Sequence, residues 1–592
     1  MKIALIGNGG RESALAWKIG KSKRLEKLYV FSKNPGILAF GEYVDIDTND
    51  FEKLYNFLKK TGVNYVVVGP EDPLVNGITD YLEERGIKVF GPNRMGAMIE
   101  GSKSFAKEIM SEAFIPTASY RVFTDKSSAL DYISNLNTFP IVIKFDGLAG
   151  GKGVHIATSI DDSKNFLDLV FDDNKFGDNP KVVVEEFLEG EEVSVFGLTD
   201  GKTIKYLPVC QDHKRVFEGD KGPNTGGMGV YGPTSLVNDL LLKEIDEKIF
   251  KRLLNTLNKK GIIYKGVIYG GLILTNNGPY VLEFNCRFGD PETQVLMMLI
   301  ENDMIDIIEA VCESRLDSID IRFVKGTAIC TVLASGGYPG EYKKEYPIYG
   351  LERVSSTLFP SGVTVKNGEW ITDGGRVLSV VNIGNSLIDA RKKVLQDIEK
   401  ISFEGMHYRK DIGEKEIKRP LVSVFMGSDS DLKIMSNALQ ILEEFDVPYE
   451  INILSAHRTP DTVAKIVKGF RYRNVKVVIA GAGMAAHLPG VIASHTTIPV
   501  IGVPIDASLG GVDALYSINQ MPPGIPVATV SIGSAGAKNA AILAVEILSI
   551  FDDTLKEKLN EFRKKQAISV LQKDKLVKEI GYKKYLDSQK NI

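Results

Sequence analysis

The chain has 592 residues, of which 44% are hydrophobic and 25% charged, and its 72 Lys and Arg against 76 Asp and Glu give a net charge of −4. These proportions are typical of globular proteins and exclude disordered, collagen-like and coiled-coil classes. The charge balance provides no strong field for nucleic acid or an anionic membrane, and no apolar run approaches the about 18 residues of a membrane span. The four cysteines lie far apart in the sequence, which predicts reduced thiols and a cytoplasmic location.

Three to five domains are expected, because a single hydrophobic core rarely exceeds about 250–300 residues. Residues 1–100 alternate short apolar runs with amphipathic segments, which predicts a parallel α/β domain. Its strands are predicted over residues 2–6, 28–31, 65–68 and 88–90.

Residues 101–325 predict an α+β domain, because apolar runs at 141–145 and 154–157 flank a glycine-rich loop with no helix between them. Residues 326–415 predict a small domain with strands at 327–333 and 375–382 and a helix that starts near Ser386. The charged segment 410–420 ends at a proline and predicts a linker.

Residues 420–565 are rich in Gly, Ala and Val and predict a separate, doubly wound parallel α/β domain. Its strands are predicted over 422–426, 475–480, 499–503 and 527–531. The last 40 residues carry dense Lys and Glu, and a charged helical tail is predicted over 566–592.

A glycine-rich turn, Gly-Asn-Gly-Gly-Arg-Glu, follows the first predicted strand and opens a helix. Such a turn lets backbone N–H groups approach a phosphate at a helix N-terminus. Glu12 stands where a dinucleotide-binding fingerprint requires glycine, which disfavours NAD. The alternatives are a plain tight turn and a site for a phosphorylated small molecule, formed by Gly9, Gly10, Arg11 and Glu12.

A second glycine-rich loop spans residues 146–153 between two predicted strands. It is not a P-loop, because Gly153 replaces the Ser or Thr that binds magnesium and a strand follows in place of a helix. The loop instead predicts a flexible flap whose backbone donors and Lys152 close over phosphates. Lys144 alternates with apolar neighbours in the preceding strand, and a lysine there is costly unless it meets an anion.

The run 280–287 alternates apolar and polar residues, so that Glu283, Asn285 and Arg287 are predicted to share one face of a strand. Two hard oxygen ligands beside a cation suit Mg²⁺ with bound phosphates. The polar face of an edge strand is the alternative. The strand at 182–186 leads into an acidic turn, which is compatible with an ordinary surface strand end.

These features, in this order, resemble the ATP-grasp superfamily, and over roughly residues 1–415 they resemble the phosphoribosylamine–glycine ligases (GAR synthetases). The resemblance lies in the motifs at residues 6–12, 69–74, 100–103, 144–154, 211–215, 222–229 and 283–292. It implies an N-terminal substrate-binding domain (1–100), an ATP-grasp domain (101–325) and a small C-terminal domain (326–415). The implied reaction of purine biosynthesis couples glycine to phosphoribosylamine through glycyl phosphate and yields glycinamide ribonucleotide, ADP and phosphate.

The resemblance also implies the roles of individual residues in the ligase half. Lys103 and Lys144 would contact the ATP phosphates and Glu283 and Asn285 would hold Mg²⁺ or Mn²⁺. The flap would consist of Gly147, Gly150, Gly151, Lys152 and Gly153, and the adenosine site of Glu185, Glu186, Leu188 and Glu192. The glycyl phosphate site would be lined by Asp212, Lys214, Arg215, Asn224, Gly226, Gly227 and the catalytic Arg287. Ser13 departs from the family, which usually has histidine there.

In residues 420–565, polar turns follow successive predicted strands. Ser428 and Ser430 could cap a helix or bind a phosphate, and His457 and Arg458 follow the next strand. Ligands of open α/β sheets bind at the carboxyl ends of strands, so these residues are predicted to share one site. A lone histidine is often structural, but its place beside an arginine favours catalysis.

The strand-end motifs at 426–431, 455–460 and 481–490, together with 517–522, resemble the class I carboxyaminoimidazole ribonucleotide mutases. The implied reaction moves CO₂ from the exocyclic nitrogen of N5-carboxyaminoimidazole ribonucleotide to ring carbon C4, without metal or nucleotide. His457 would shuttle the proton, and the ribonucleotide site would comprise Ser428, Asp431, Ser455, Arg458, Gly483 and His487. The resemblance further implies a homo-octamer.

Three alternatives remain at this stage. The first half could ligate another amino acid or carboxylate. The second half could be an AIR carboxylase that uses free CO₂, although Arg458 after the histidine favours the mutase because the carboxylases usually have lysine there. The chain could also be a nucleotide-binding regulatory protein with degenerate sites, which the intact Lys144, Glu283, Asn285 and His457 disfavour.

Overall fold

The computed structural model describes residues 1–136, 138–150, 153–173, 175–177 and 180–589. The chain forms two compact units, Met1–Ile417 and Lys418–Ile592. In the described ranges, no helix combines the length and the apolar character that crossing a membrane requires.

Five parallel strands form the first sheet of the N-terminal unit. Their spatial order is Glu42–Tyr43, Lys27–Val30, Lys2–Ile6, Tyr65–Val68 and Lys88–Phe90. The helices around them are Gly10–Gly20, Pro35–Leu38, Phe51–Thr61, Glu71–Val75, Ile78–Glu83 and Arg94–Gly101. The predicted parallel α/β domain is confirmed, and parallel pairing brings the glycine-rich turn and the Gly69 turn to the same edge of the sheet.

Two antiparallel four-stranded sheets follow. The first has the order Tyr120–Phe123, Val182–Glu186, Ile141–Phe145 and Val154–Ala157, and the helices Lys126–Leu136 and Ile160–Phe171 pack on it. The second has the order Ile204–Tyr206, Glu191–Thr199, Gly266–Thr275 and Gly278–Asn285. The remaining helices of this region are Lys103–Glu112, Asp239–Ile245, Lys251–Lys259, Glu292–Leu299 and Met304–Cys312, with a π-turn at Asp246–Phe250. The predicted hairpin is confirmed, with Lys144 opposite Val154.

A five-stranded antiparallel sheet joins strands from both sides of residue 325. Its order is Gln211–Asp212, Gly229–Gly232, Thr327–Ala334, Arg376–Gly384 and Thr357–Pro360. Two ribbons, Arg215–Phe217 with Lys221–Asn224 and Val363–Lys366 with Glu369–Thr372, accompany it. Helix Leu387–Ile398 is capped by Ser386, whose hydroxyl accepts the Asp389 N–H at 3.2 Å, as the sequence predicts.

The predicted linker over 410–420 is wrong for its first part. Within this segment Asp411 forms an ion pair at 2.6 Å with Arg409, which directly precedes it, is 1% exposed and also pairs with Asp220 at 2.9 Å. Helix Glu414–Ile417 follows, and Glu416 accepts the backbone N–H of Ser235 at 2.7 Å. Charges that suggest a solvated segment are therefore paired with distant residues of the first unit.

The second unit contains five parallel strands in the order Tyr449–Ile453, Val422–Met426, Val477–Gly483, Val500–Ile505 and Ala528–Thr529. Its helices are Leu432–Glu444, Pro460–Lys468, Leu488–His495, Val512–Asn519, Gly533–Ser549, Asp553–Ile580 and Tyr582–Gln589. Apolar clusters cover both faces of the sheet, which confirms the predicted doubly wound domain.

The charged helix of the C-terminal tail begins at Asp553, well before residue 566. Its first turns belong to the domain, because Leu555 and Leu559 are buried in the core beneath it. Farther along, Ile568, Val570 and Leu571 are exposed.

Candidate functional site

Three lysines from different parts of the first unit surround Glu283. The Lys103 ammonium donates to the Gly147 carbonyl at 2.9 Å, and the Lys144 ammonium donates to the Leu282 carbonyl at 2.9 Å. Burial disfavours the charged form of Glu283, but Lys214, Lys144 and Lys103 outweigh it and hold the pKa of this carboxyl below its ordinary value. Glu283 is therefore an anion in a strongly cationic pocket.

Glu283 and Asn285 lie on strand Gly278–Asn285, opposite Gly271 and Tyr269. A bulge follows Gly271, and the strand ends at Asn285, so Arg287 lies just beyond it. In the described ranges, no group of three or more His, Cys, Asp or Glu side chains is placed to hold a metal. One carboxylate and one amide oxygen fit Mg²⁺, which keeps several of its waters and takes other ligands from phosphates.

Arg287 is held between two carboxylates. Its guanidinium forms ion pairs with Glu71 at 3.0 Å and Glu100 at 2.7 Å, and it donates to the Phe288 carbonyl at 3.2 Å. Burial opposes its charge, yet Glu100 and Glu71 raise the pKa of Arg287 well above its ordinary value. Burial likewise disfavours ionised Glu71, but Arg287 and Arg11 lower its pKa to about 2. Arg287 thus has a fixed orientation beside Glu283.

Glu185 is turned away from solvent towards two lysines. Its carboxylate lies 3.0 Å from the Lys144 ammonium and 3.0 Å from that of Lys107. The adjacent Glu186 accepts the Ser119 N–H at 2.8 Å, and Leu188 is half-buried. Because both oxygens of the Glu185 side chain face lysines, the backbone is the part of this segment that is left to contact a ligand.

The glycine-rich turn of the first sheet houses a buried carboxylate. Glu12 accepts the Gly9 N–H at 2.7 Å and an N–H of the Arg11 guanidinium at 2.6 Å. A Cβ at Gly69 would lie 1.9 Å from Glu12 Oε1, and one at Gly7 would lie 2.5 Å from Glu12 Cδ. Both glycines are needed to admit Glu12, which explains two glycine-containing turns at neighbouring strand ends. Gly10 begins the helix that follows.

A small cavity of about 10 Å³ lies between the second four-stranded sheet and the Gln211–Asp212 end of the five-stranded sheet. Its polar lining residues are Glu192, Ser194, Asp212, Lys214 and Tyr269. Burial raises the pKa of Asp212 well above its ordinary value. Glu292 and Glu192 raise this pKa further, whereas Lys214 acts to lower it. Although burial opposes its charge, Lys214 has a raised pKa because Glu192, Asp212 and Glu283 surround it. The cavity has room for about one water-sized group.

Buried hydrogen bonds support this cavity. The Tyr269 hydroxyl donates to Glu292 at 2.9 Å, and the Ser194 hydroxyl lies 3.1 Å from the same oxygen. None of these three residues is among the site residues predicted from the sequence. Glu292 lies within a recognised motif, whereas Ser194 and Tyr269 sit on adjacent strands whose pairing the sequence does not reveal.

The loop at 224–229 is fixed from two sides. The Gly226 N–H donates to the Tyr338 hydroxyl at 3.2 Å, and Arg376 donates to the Gly226 carbonyl at 2.7 Å. Gly227 has a φ of +113°, and a Cβ there would lie 2.5 Å from Pro291. Asn224 and Arg215 pair across the exposed ribbon beside this loop.

The flap is described at Gly147, Gly150 and Gly153, whereas Gly151 and Lys152 lie outside the described residues. Gly150 has a φ of +54°, and the Gly153 carbonyl accepts the Phe145 N–H at 2.7 Å.

In the second unit, the structure brings three strand ends together. His457 Nε2 lies 2.8 Å from His487 Nδ1, and Arg458 donates to the Gly427 carbonyl at 2.8 Å. One of the two facing imidazole nitrogens must carry the proton while the other accepts it. The Ser455 hydroxyl accepts the N–H groups of His457 and Arg458 at 3.3 Å each.

Ser428 and Asp431 form a capping box at the first of these strand ends, where the Ser428 N–H donates to Asp431 at 3.2 Å. Burial raises the pKa of Asp431. Gly483 ends the third strand, and a Cβ there would lie 2.8 Å from that of Ala507. His457, Arg458 and His487 are all exposed, so this site is open on the side of the strand ends.

The two antiparallel sheets around Lys144, Glu185 and Glu283 define the first unit as an ATP-grasp enzyme. The sequence matches the family models of the N, ATP-grasp (A) and C domains of phosphoribosylglycinamide synthetase over residues 1–100, 101–293 and 328–415. Residues 421–569 match the model of AIR carboxylase.

Similar proteins agree with these matches. Phosphoribosylamine–glycine ligases of Caldanaerobacter subterraneus and of Nostoc sp. are 45% and 46% identical over 414 and 422 residues, which is 70% of this chain and 99% of each relative. The crystal structure of the Thermotoga maritima phosphoribosylamine–glycine ligase has a TM-score of 0.61 at 33% identity and covers 70% of this chain and all of its own.

A fold likeness extends to a more distant enzyme. The biotin carboxylase domain of Hydrogenobacter thermophilus 2-oxoglutarate carboxylase, solved with MgADP, ADP and bicarbonate, has a TM-score of 0.52 at 15% identity and covers 69% of this chain and 91% of its own.

The chain therefore belongs to the phosphoribosylglycinamide synthetase family, with an AIR carboxylase domain fused behind the synthetase domains. Its first unit has the ATP-dependent phosphoribosylamine–glycine ligase activity of purine biosynthesis. Both predicted resemblances are confirmed at this level.

Proposed function

We propose that the first unit forms glycinamide ribonucleotide through glycyl phosphate. A carboxylate oxygen of glycine attacks the γ-phosphorus of ATP, and ADP leaves. The nitrogen of phosphoribosylamine then attacks the carbonyl carbon, loses a proton and displaces phosphate. The observation that carries this proposal is the ring of Lys103, Lys144 and Lys214 around Glu283, beside a cavity for a very small group. Such a site stabilises the charge of a transferring phosphoryl group and requires no protein nucleophile.

In this proposal Glu283 and Asn285 would hold Mg²⁺, or Mn²⁺ in its place. The bound ion supplies charge neutralisation on the phosphate oxygens. Lys103 and Lys144 orient the phosphates, and the flap of Gly147, Gly150, Gly151, Lys152 and Gly153 closes over them and excludes water. The bound MgADP of the 2-oxoglutarate carboxylase domain supports a magnesium nucleotide in this fold.

The adenosine is placed along the segment that follows strand Val182–Glu186. The side chain of Glu185 is occupied by two lysines, so Glu186 and Leu188 offer mainly backbone groups to the adenine ring. Glu192, exposed and 3.3 Å from the Lys214 ammonium, is placed at the ribose.

We place the ammonium group of glycine in the cavity beside Asp212. Burial disfavours the charged form of the Asp212 carboxyl. The ammonium group of glycine, bound beside it, would favour that charged form. Lys214 would contact the carboxylate end of glycine. Because the cavity has room for about one water-sized group, only the ammonium group of glycine would enter it, and the rest of the molecule would lie outside.

Phosphoribosylamine is placed between the first sheet and the ATP-grasp sheets. Gly9, Gly10, Arg11 and Glu12 stand at a helix N-terminus, where backbone N–H groups favour a phosphate. Arg287 would contribute its charge at the acyl phosphate. The remaining loop residues assigned to the acyl-phosphate site are Arg215, Asn224, Gly226 and Gly227.

We further propose that the second unit is a class I mutase. His457 protonates the exocyclic nitrogen of N5-carboxyaminoimidazole ribonucleotide as CO₂ leaves, and it accepts the C4 proton after the CO₂ adds to that carbon. Histidine suits both steps because its pKa lies near neutrality. The 2.8 Å contact with His487 supports the proposal by keeping the imidazole oriented for proton transfer.

The ribonucleotide is placed across the strand ends, with Ser428, Asp431, Ser455, Arg458 and Gly483 around it. No metal or nucleotide enters this proposal. An AIR carboxylase that takes free CO₂ is the second candidate, because the family model carries that name. Turnover of N5-carboxyaminoimidazole ribonucleotide in CO₂-depleted buffer would support the mutase, and turnover of only aminoimidazole ribonucleotide with added bicarbonate would support the carboxylase.

We propose that the second units assemble into an octamer that closes their sites. Large apolar side chains are exposed near the strand ends, with Met484 64%, Tyr516 61% and Leu509 81% exposed. Exposed apolar patches on this scale mark interaction surfaces, and closed point-group symmetry is the usual way to bury them. A cytoplasmic location is proposed as well, because Cys210, Cys286, Cys312 and Cys330 are all free thiols.

Asp212→Asn removes the anion at the proposed ammonium site without changing the size of the side chain. The KM for glycine should rise about 10–100-fold, since a hydrogen bond to a charged group contributes about 1.5–3 kcal/mol. The KM for ATP should change less than twofold. Steady-state kinetics with each substrate varied would measure both, with the exposed Asp317→Asn as the matched control. Equal effects on glycine and ATP would contradict this placement.

Glu283→Gln removes one anionic oxygen from the proposed magnesium site. Ligase activity should fall at least about 10²-fold, because the nucleotide would lose metal-ion charge stabilisation. The activity of the second unit should persist, since that unit is proposed to use no metal. Assays of both activities on one preparation would test this, with the exposed Glu369→Gln as control. Loss of both activities in a folded variant would refute independent sites.

His457→Asn keeps a hydrogen-bonding group of similar size but cannot shuttle a proton at neutral pH. Turnover of N5-carboxyaminoimidazole ribonucleotide should fall about 10²–10⁴-fold, the usual effect of removing a general acid–base. Binding of the ribonucleotide, measured by calorimetry, should change little. His495→Asn, on the helix that follows the third strand, is the control. A near wild-type rate in His457→Asn would show that the proposed proton shuttle is wrong.

An octamer of 65.1 kDa chains should scatter light as a particle of about 520 kDa. Leu509→Asp should lower the particle mass and the activity of the second unit together, because it places a charge in the buried contact. Leu240→Asp is a matched control, since both leucines are 81% exposed and Leu240 lies in the first unit. A monomeric wild type with full activity in both units would overturn the assembly proposal.

A further inference from the structure

One buried carboxylate in the nucleotide pocket is shared by two lysines. Glu185 Oε2 lies 3.0 Å from Lys107 Nζ, and Glu185 Oε1 lies 3.0 Å from Lys144 Nζ. The side chains are 2%, 2% and 8% exposed for Glu185, Lys107 and Lys144. Lys107 lies one helical turn after Lys103 on helix Lys103–Glu112, so this helix presents both lysines on one face.

Both lysines are tied to the strand that carries Glu283 and Asn285. Lys107 Nζ donates to the Thr117 hydroxyl at 2.7 Å, and that hydroxyl donates to the Val281 carbonyl at 2.7 Å. Lys144 Nζ donates to the next carbonyl along the strand, that of Leu282. Among the described residues, Lys144 Nζ makes one hydrogen bond, the one to Leu282, and its 3.0 Å approach to Glu185 Oε1 is an ion pair without hydrogen-bond geometry.

Glu185 alone does not balance the charges of this cluster. Two ammonium groups share its one carboxylate, and Lys144 is also acted on by Glu283. A cation left without an anion in a desolvated pocket is costly. Burial, with Lys144 adding to it, lowers the pKa of Lys107 to about 8 even though Glu185 opposes the shift. A cluster that served stability alone would need only one lysine for Glu185. The positive charge that Glu185 does not balance is therefore available to a ligand that carries negative charge.

We propose that Lys107 is a positioning residue for the ATP phosphates, and the proposal rests on the proposed role of Lys144 as a phosphate contact. Lys107 takes one oxygen of Glu185, so that Lys144 is not neutralised by this carboxylate and keeps one N–H for a phosphate oxygen. Without Lys107, Glu185 and Lys144 form a neutral one-to-one pair that draws the ammonium away from the phosphates. Lys107 acts on the nucleotide through Glu185 and Lys144 and touches no substrate itself.

The test compares four variants of the full chain: Lys107→Met, Lys107→Arg, Glu185→Gln and the double variant Lys107→Met with Glu185→Gln. Calorimetry measures the affinity for two probes, ADP with Mg²⁺ and adenosine. Adenosine has the base and ribose but no phosphate, so it reports on distortion of the pocket. Circular dichroism checks folding.

Lys107→Met should weaken ADP binding about 10–100-fold and change adenosine binding less than twofold. Lys107→Arg, which keeps the charge, should bind ADP within about threefold of the wild type. The double variant should recover ADP affinity to within about threefold of the wild type, because Lys144 then no longer faces the carboxylate of Glu185. Glu185→Gln alone should bind ADP at least as tightly as the wild type. If Lys107 had a purely structural role, Lys107→Met would weaken the binding of ADP and adenosine equally. Adding Glu185→Gln would then not restore the affinity.

The double variant keeps the proposal falsifiable if Lys107→Met fails to fold, since it removes the buried carboxylate together with the lysine. ADP binding more than tenfold weaker than wild type in the folded double variant would overturn the role of Lys107. So would equal losses of ADP and adenosine affinity in Lys107→Met. Neither of these two results would bear on the proposed ligase reaction. That reaction is tested by turnover of glycine and phosphoribosylamine in the wild type, and absence of this turnover would overturn it.

Discussion

The proposed ligase site depends on keeping the half-buried carboxylate of Glu283 ionised. A buried carboxylate is stable as an anion only when cations surround it, and here Lys103, Lys144 and Lys214 fulfil that condition. The three lysines come from a helix, from the hairpin before the flap and from the chain beside the third sheet. The charge of one residue therefore requires that separately formed parts of the unit close on one another.

The need to keep Glu283 ionised also explains the charged residues that contact its neighbouring cations. Arg287 adds positive charge near Glu283, and it is itself oriented by Glu71 and Glu100 from the N-terminal helices. Lys144 is balanced in part by Glu185. Arg287 and Lys144 thus each have a carboxylate partner, and in the proposed arrangement the positive charge that remains faces the phosphates.

Local sequence patterns predicted most of the architecture and the polar strand ends. Period-two alternation located Glu283 and Asn285, and the missing helix between residues 145 and 154 predicted the hairpin. The pairing of charges was not predictable in the same way. Nothing in the sequence marks Lys107 and Arg409 as paired, because their partners Glu185 and Asp220 lie far away in the sequence. Ser194 and Tyr269 were not predicted as site residues for the same reason, since only the pairing of their strands brings them together.

The antiparallel sheet that crosses residue 325 has a consequence for how the ligase half can be divided. Strand Gly229–Gly232 pairs with Thr327–Ala334, so a chain that ended at residue 325 would expose the backbone N–H and C=O groups of an inner strand. An unprotected sheet edge of this kind recruits other chains and promotes aggregation. The C-terminal residues of this half are accordingly part of the folding unit that contains Asp212 and Lys214. Fragments of the two sides, expressed separately, should become soluble only when they are mixed.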